Sequence, residues 1–556
     1  MGGSFGWIDW TVLGAYLVGT SWLAERLAGS RQTIRDFFLG GRKLPWWAVS
    51  GSIVASEVSG VTFVSVPAIA FAKGGDYTFL MLAIGTIAAR VVIGWCFVPA
   101  FYRQEIYSPY EFMGRRLGPG VDRAATTIFF VGGFLAQGAR LFLAALVLSA
   151  ITGLDLVWSI VVLGAISVIW TWLGGINSVV WTDVVQFVIL FVGGAVALAA
   201  VVWVVPGGWE TIVREGEAAG KFRLWNLEFD RTSRYTVWTG IFGMTFLTLA
   251  SHGTDQMMAQ RLFCCRDERD ARKAVVWSGT SQLLPVLMLT VGVGIHAYFS
   301  QPELAMSPEE AALYRKDDDY LLPIFILKAM PAGVKGLLFA AIFSAATATS
   351  TLSAMAQTAL SSFYVPFARN RDERHLVFVS RILVLVAAAG LCGTALLCSR
   401  ITEYPAILDL ALAMAGYTYG AMLGMLLLAL LPLGRDARGL IWGVPFSMLT
   451  VFALSWQHLP WARAVTAAGA GALVLASPFL LRREWPKLGW VLLGAGLVLG
   501  IAFLKPVRGA DGAQTWLKLA YPWHYPIGAA ITLGLGVALG RKRVAGAEPA
   551  SLSSAP

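Results

Sequence analysis

The chain has 556 residues, and 57% of them are hydrophobic, which is more than an ordinary soluble domain contains. This composition excludes a soluble globular domain and indicates a membrane protein. The formal net charge of +10 would be compatible with a nucleic-acid partner. Because the Lys and Arg residues are concentrated in alternate loops between apolar runs, we attribute the charge to membrane topology and expect no nucleic-acid partner.

Apolar runs recur along the whole chain, each about 18 residues or longer and so long enough to cross a hydrocarbon core of about 30 Å. They predict an all-α polytopic membrane protein with about 15 transmembrane helices. No basic residue precedes the first run and no small-residue cleavage site follows it, which favours a retained span over a signal peptide. The runs lie near 7–27, 46–72, 76–101, 123–151, 155–173, 180–205, 236–260, 275–299, 334–364, 377–399, 404–432, 438–456, 462–481, 487–504 and 523–540.

The alternation of basic and non-basic loops predicts the orientation of the chain in the membrane. Cytoplasmic loops carry an excess of Lys and Arg, and here that excess follows every second span and ends with the basic run at 541–543. We therefore expect a multi-pass protein of the cell (inner) membrane, in contact with lipid, with its N-terminus outside and its C-terminus in the cytoplasm.

Two sets of five spans have corresponding interruptions. Spans 2–6 open with a small and polar stretch at 55–60, and spans 7–11 open with one at 251–255. Paired interrupted segments in corresponding halves indicate an inverted-repeat transporter with its site near the midplane. The expected organisation is a first peripheral helix and cytoplasmic loop (1–45), a first five-helix repeat (46–205), an external loop (206–235), a second, inverted five-helix repeat (236–432), C-terminal peripheral helices (433–544) and a disordered tail (545–556).

One span carries five hydroxyl residues within seven positions, from Thr347 to Ser353. Unsatisfied polar groups in hydrocarbon cost several kcal/mol, so these hydroxyls must face protein, water or an ion. Small hydroxyl residues also pack helices closely in membranes. The pattern alone therefore leaves helix packing and a cation site open.

Several motifs occur together in an order that resembles the sodium/solute symporter family, over spans 1–11. The resemblance implies a leucine-transporter-type fold with two inverted five-helix repeats, a broken first helix in each repeat, and alternating access driven by sodium. It implies a transporter and not an enzyme, with no catalytic residues. The matching stretches are 36–47, 55–60, 108–112, 174–186, 253–256 with Gln260-Arg261, and 350–353.

The resemblance also implies a sodium site where the broken second span meets the hydroxyl-rich span. Sodium is a hard cation, and carbonyl and hydroxyl oxygens can bind it without holding it permanently. The implied ligands are the carbonyls of Ala55, Val58 and Thr347 and the hydroxyls of Ser350 and Thr351.

A second sodium site remains open. In relatives that have one, an Asp at the position of Asp183 acts with serines of the hydroxyl-rich span. Ser350 and Ser353 match those serines, but Ala354 replaces the last one. Asp183 has an alternative interpretation as an acid at a helix N-terminus, where the helix dipole favours negative charge.

Arg140 is a candidate ligand for the solute. It lies within a span that flanks the solute cavity in this family, and arginine pairs bidentately with carboxylates. The alternative is an ion pair inside the protein, with Glu57 or Asp409 as the acid. Arg90 also lies within a span, and we expect it to pair with Glu57 in a structural role.

The two interrupted segments supply the remaining cavity candidates. His252 is one of them, although a lone His is often a hydrogen-bonded core residue, and its ordinary pKa near 6.5 leaves proton coupling open. Asp255, with Gln256 and Arg261, is expected at a cytoplasmic gate or in loop folding. The other candidates are Ser59, Thr62, Phe63, Thr248 and Ser251.

These patterns predict sodium-coupled symport of a small polar solute, with an organic anion favoured. The alternatives are a symporter of a neutral sugar, polyol or amino acid, a membrane-embedded enzyme and a sensor. The last two classes lack support because no sizeable aqueous domain interrupts or follows the spans. The identity of the solute and the oligomeric state are not encoded in these patterns, since one fold serves many solutes.

Overall fold

A computed structural model describes residues 5–27, 40–58, 60–104, 106, 108–344, 349–368, 372–400, 407–481, 485–504, 507–508, 514–515 and 519–541. These residues are nearly all helical, which confirms the predicted all-α class. The helices are α1 (Trp7–Arg26), α2 (Trp46–Glu57), α3 (Gly60–Phe71), α4 (Met81–Val92), α5 (Val98–Tyr102), α6 (Pro109–Leu117), α7 (Pro119–Thr152), α8 (Leu156–Val204), α9 (Gly208–Ala218), α10 (Thr245–Gly253), α11 (Gln256–Phe263), α12 (Glu268–Trp277), α13 (Leu283–Phe299), α14 (Pro308–Lys316), α15 (Leu321–Ala329), α16 (Val334–Ser344), α17 (Thr349–Ala359), α18 (Glu373–Cys398), α19 (Ile407–Leu430), α20 (Leu440–Trp456), α21 (Pro460–Leu481), α22 (Leu488–Ala502) and α23 (His524–Leu539).

Short segments of other geometry join or extend these helices. Two strands of two residues, β1 (Val507–Arg508) and β2 (Gln514–Thr515), pair antiparallel. Three π-helical turns extend helices at Ile93–Phe97, Thr239–Met244 and Leu360–Tyr364. Turns of 3-10 helix cover Gly40–Arg42, Tyr77–Leu80, Ser278–Gln282, Pro302–Leu304, Asp318–Tyr320, Val365–Phe367, Ala437–Gly439, Trp485–Lys487 and Tyr521–Trp523.

The predicted count of 15 spans is not confirmed. Among the described residues, ten helical segments are long and apolar enough to cross a membrane, and the bent pair α2 and α3 makes an eleventh. Leu156–Trp172 is a shorter apolar segment. The predicted spans 155–173 and 180–205 lie in one helical run, α8, of 49 residues. Helices also cover the first and last predicted runs, as α1 and α23.

Two helical runs are interrupted where the sequence predicted. The axes of α2 and the segment Thr62–Phe71 differ by 57°. Helix α2 ends because Val58 adopts an extended conformation, with φ −76° and ψ 91°. Helix α10 ends at Gly253, and the carboxylate of Asp255 accepts a hydrogen bond from the backbone N–H of Met257 at 2.8 Å, which caps the start of α11. The backbone groups freed at such breaks are available to bind other partners.

The chain divides into two compact units, and four of the five boundaries between them fall within helices. The first comprises Met1–Ala83, Gly133–Asn226 and Gln260–Leu412. Its apolar core surrounds α3 and α13, which approach so closely that a Cβ on Gly292 would lie 2.2 Å from the carbonyl oxygen of Pro67. Glycine at this point lets the two helix backbones pack together, as small residues do in membrane bundles.

The second unit comprises Ile84–Gly132, Leu227–Ala259 and Ala413–Pro556. In this unit α23 packs against α19 and α20. A Cβ on Gly420 of α19 would lie 2.9 Å from the Cα of Gly528 in α23. The hydroxyl of Ser447 in α20 donates to the carbonyl of Gly528 at 2.9 Å. Close helix contact and an interhelical hydrogen bond therefore stabilise the same point of this unit.

Helix α1 forms hydrogen bonds with the start of α16, the helix that precedes the hydroxyl-rich segment. The Asp9 side chain is buried, and its Oδ1 accepts hydrogen bonds from the backbone N–H groups of Gly333 at 2.7 Å and Gly336 at 3.0 Å. These N–H groups belong to the first turn of α16 and the residue before it, where negative charge is favoured. The first helix therefore holds the start of α16 in place.

Candidate ion and solute site

Five polar residues from four helices of the first unit meet in one place. Ser52 and Ser56 come from α2, Asp183 from α8, Arg261 from α11 and Ser350 from α17. We call these five residues the Asp183 cluster. Asp183 is 2% exposed and Arg261 is 0% exposed, so the central charges are out of contact with solvent.

The carboxylate of Asp183 is the centre of the cluster. Its Oδ2 accepts hydrogen bonds from the Ser52 hydroxyl at 2.6 Å and from Arg261 Nη2 at 2.9 Å. The hydroxyls of Ser56 and Ser350 lie farther away, each at 3.4 Å from the same oxygen. One carboxylate oxygen therefore gathers hydroxyls from two helices and a guanidinium from a third.

The guanidinium of Arg261 contacts every helix that contributes to the cluster. Its Nε donates to the Ser52 hydroxyl at 2.7 Å, and its Nη2 forms a salt bridge with Asp183 at 2.9 Å and also donates to the hydroxyl of Ser350. A buried carboxylate requires a paired positive charge, because isolating it costs several kcal/mol. The cluster is thus a neutral arrangement of oxygens around a positive group, and oxygens of this kind also suit a hard cation.

Four of the five predicted sodium ligands are described, and they belong to the Asp183 cluster or are within two positions of its members along the chain. Ser350 belongs to the cluster, and its hydroxyl lies 3.3 Å from that of Ser56. Ala55 and Val58 are buried at the end of α2, on either side of Ser56 along the chain, and Thr351 is buried in α17. Thr347 lies outside the described residues.

Of the residues predicted for a second sodium site, two are in contact and the third has no described hydrogen-bond partner. Asp183 and Ser350 are brought together by the fold, at 3.4 Å. Ser353 is 2% exposed, and its hydroxyl has no hydrogen-bond partner among the described residues. The alternative interpretation of Asp183 as a helix N-terminal acid is wrong, because Asp183 lies well inside α8, which begins at Leu156.

Arg140 lies on α7, half-buried, beside the end of α2. Its Nη1 donates to the backbone carbonyl of Ser56 at 3.4 Å. No described carboxylate lies within salt-bridge distance of Arg140, although the side chain of Asp409 is outside the described part. A guanidinium in this position can form a bidentate contact with a carboxylate.

The other cavity candidates of the broken span differ in position. Thr62 is half-buried, and Ser59 lies outside the described residues. Phe63 is 0% exposed and belongs to the apolar core of the first unit. It packs there near Gly193, since a Cβ added to Gly193 would lie 3.8 Å from the Phe63 ring.

The remaining candidates lie in the second unit. Arg90 is buried, and its Nη1 donates to the carbonyl of Thr86 at 3.0 Å, while its Nη2 lies 3.5 Å from His252 Nε2. His252 Nδ1 is 2.9 Å from the hydroxyl of Ser251. Because an arginine only donates, a hydrogen bond from Arg90 to Nε2 would leave Nδ1–H of a neutral His252 facing Ser251.

Asp255 and Thr248 also lie in the second unit, and both are buried. Besides capping α11, Asp255 accepts a hydrogen bond from the hydroxyl of Tyr419 at 2.6 Å. Asp255 therefore links the start of α11 to Tyr419 of α19. Glu57, at the end of α2 in the first unit, is half-buried.

The sequence interpretation did not include Ser52 and Ser56, and it assigned Arg261 to a gate or loop. The sequence contains a signal for the serines. Ser52 and Ser56 are four positions apart, and residues with this spacing lie on the same face of a helix. The signal for Arg261 was weaker. It lies in the same motif as Asp255, but its contact with Ser52 joins residues 209 positions apart.

The comparison with protein families identifies the chain. A model described as the sodium:solute symporter family matches residues 37–445, which is more than half of the chain. The chain belongs to the sodium:solute symporter family. This membership confirms the predicted resemblance.

Relatives in this family transport several solutes. Human sodium-coupled monocarboxylate transporter 1 is 29% identical over 434 residues, covering 77% of this chain and 68% of that protein. The human sodium/iodide cotransporter is 30% identical over 421 residues, covering 75% of this chain and 64% of that protein, which is less than two thirds. The sodium/sialic acid symporter NanT of Aliivibrio fischeri is 28% identical over 462 residues, covering 81% of this chain and 88% of that protein.

A solved structure is similar over nearly the whole chain. It is described as the substrate-bound outward-open state of a Na+-coupled sialic acid symporter, and its TM-score is 0.75 at 22% sequence identity. The match covers 97% of this chain and 100% of that chain. The likeness confirms the predicted symporter fold, and the protein is a multi-pass membrane protein.

Proposed function

We propose that this protein couples the movement of sodium to the uptake of a small organic anion, by alternating access. The Asp183 cluster is the observation that carries the proposal. It gathers a carboxylate and three hydroxyls from α2, α8 and α17 in a buried place, next to the break in the first repeat. Oxygens from a broken helix and a neighbouring hydroxyl-rich helix are a suitable set for a transported cation.

Sodium is the coupling ion in this proposal. The carbonyls of Ala55, Val58 and Thr347 with the hydroxyls of Ser350 and Thr351 form one site. Asp183, Ser350 and Ser353 supply oxygens for a second ion. Family membership and the names of the relatives, each of which is a sodium-coupled transporter, support sodium over a proton.

Arg140 is the proposed ligand of the solute anion. It is a permanent positive charge on a helix beside the broken span, and its described contact is a neutral carbonyl. A solute carboxylate would supply the missing negative charge. Monocarboxylate and sialic acid appear in the names of the relatives, which favours a carboxylate over a neutral sugar or polyol.

The proposed orientation follows the basic loops. Lys and Arg predominate in every second loop and in the run at 541–543, which supports an external N-terminus and a cytoplasmic C-terminus in the inner membrane. The two interrupted helices, at Val58 and at Thr254, support two repeats that begin near residues 46 and 236.

A thermal-shift screen of the purified protein tests this function. Small carboxylates and neutral polyols are compared in sodium chloride and in choline chloride at equal ionic strength. We expect one carboxylate to raise the melting temperature in sodium but not in choline, because a ligand stabilises the state that binds it. If every stabilising solute acts equally in choline, sodium coupling is wrong. If only neutral solutes act, the anion proposal is wrong.

A further inference from the structure

Arg261 takes up the oxygens that a second cation would need. It donates to Ser52 at 2.7 Å, pairs with Asp183 at 2.9 Å and donates to Ser350. Asp183 and Ser350 are two of the three residues assigned above to a second ion. A sodium ion at these oxygens would lie beside the guanidinium, where two positive charges repel each other in a buried, weakly screened place.

The oxygens present exceed those that the guanidinium satisfies well. The Ser56 hydroxyl lies 3.4 Å from Asp183, which is long for a hydrogen bond to a carboxylate, and it donates to the backbone carbonyl of Ser52 at 2.9 Å instead. The Ser353 hydroxyl is buried without a partner among the described residues, and it follows Ser350 by three positions on the same face of α17. The Ser353 hydroxyl is therefore an oxygen that the guanidinium does not use and that a second cation could bind.

The same set is too small to hold a sodium ion permanently. Ala354, the residue after Ser353, supplies no side-chain oxygen. The site would bind sodium weakly, and Arg261 is already paired with its carboxylate. These two conditions favour exchange between the sodium ion and the guanidinium.

We propose that Arg261 is a tethered competitor of sodium at Asp183, and this rests on the proposed sodium coupling. When sodium is absent, the guanidinium neutralises Asp183, since an unpaired buried carboxylate is strongly unfavourable. When sodium binds, Arg261 leaves the carboxylate. Arg261 is on α11, the helix that follows the interruption at Thr254. Binding of sodium therefore displaces a side chain on the second half of the second interrupted run.

Sodium titrations of melting temperature test the exchange. Wild-type protein and Arg261→Gln are titrated with sodium chloride against a choline chloride balance, without solute. In Arg261→Gln the unpaired Asp183 lowers the melting temperature in choline, and sodium restores it. The sodium concentration at half-maximal stabilisation falls by roughly 5–150-fold, the usual size of coupling between two binding events.

Two further variants keep the test decisive. Arg223→Gln removes the arginine of an ion pair with Asp76 in which Arg223 is 63% exposed, and it should leave the sodium titration unchanged. Asp183→Asn with Arg261→Gln removes both charges, so it should fold in choline and lose the increase in sodium affinity. If Arg261→Gln alone does not fold, Arg261→Lys replaces it, and its sodium affinity should also rise because an ammonium cannot make the forked contact.

The outcomes separate this inference from the proposed function. If the wild-type protein is stabilised by sodium but Arg261→Gln and Arg261→Lys bind sodium no more tightly, Arg261 is a structural partner and the inference is wrong. If sodium does not stabilise the wild-type protein at all, sodium coupling itself is wrong. Tighter sodium binding in the variants, with an unchanged Arg223→Gln control, supports the exchange.

Discussion

At the scale of single residues, two arginines within the spans have different partners. Arg261 has a carboxylate partner inside the protein, Asp183, at 2.9 Å. The hydrogen bond of Arg140 in the described part of the chain is to the carbonyl of Ser56, at 3.4 Å. A carbonyl does not neutralise a guanidinium, so the two residues are suited to different tasks. In the proposed function, Arg261 balances the charge of Asp183 and Arg140 binds the solute.

We predict that Arg140→Gln abolishes binding of the solute anion but leaves sodium binding nearly intact, because the ion ligands are on other helices. Arg140→Lys should rescue poorly, since an ammonium cannot contact a carboxylate with two N–H groups. Solute affinity and melting temperature are measured together for both variants.

The same pair of measurements tests the neutral-solute alternative. In that case Asp409 neutralises Arg140, and removing the guanidinium leaves that acid without its partner. Normal solute affinity in a destabilised Arg140→Gln protein would overturn the anion proposal.

The residue chemistry could be predicted from the sequence only in part. Asp183 and Ser350 were recognised as a pair because a family pattern joins them, and the structure brings them together. Ser52 and Arg261 could not be assigned to the same place, because they contact Asp183 across 131 and 78 positions of the chain. A charged residue in an apolar segment signals that a partner exists, but it does not identify the partner.

At the scale of elements, the sequence predicted the interruptions better than the boundaries of spans. Small and polar residues at 55–60 and at 251–255 weaken a helix locally, and the helices do end there, at Glu57 and Gly253. The apolar runs 155–173 and 180–205 predict two separate spans, whereas the structure has one continuous helix, α8, through both. Hydropathy locates apolar surface, whereas the continuity of a helix depends on backbone hydrogen bonds that small residues do not always break.

At the scale of the whole molecule, the distribution of charge is the basis of the proposed orientation. The formal net charge of +10 comes from 43 Lys and Arg against 33 Asp and Glu, and the basic residues alternate between loops. This pattern was sufficient to predict a membrane protein and a direction of insertion. It carries no information on the solute, because the side chains that contact the solute are few and are brought together only by folding.

Accessibility of introduced cysteines tests the orientation. In a Cys96→Ser background, Lys316→Cys should react with a membrane-impermeant maleimide in intact cells, because the loop before α15 is expected outside. The matched variant Arg269→Cys, in a basic loop expected inside, should react only after permeabilisation. A reporter fused after Arg543 should be active only in the cytoplasm. Reversed labelling of the two cysteines would contradict the proposed topology.

Uptake into proteoliposomes tests sodium-coupled transport most directly. The carboxylate found in the thermal-shift screen is offered with an inward sodium gradient, with an equal potassium gradient, or with no gradient. We predict accumulation above the external concentration with the sodium gradient alone. The variant Ser350→Ala with Thr351→Ala should abolish it while the protein remains folded, because two hydroxyl ligands are lost and the carbonyls remain. Equal accumulation without a sodium gradient, or normal sodium dependence in the double variant, would contradict the account.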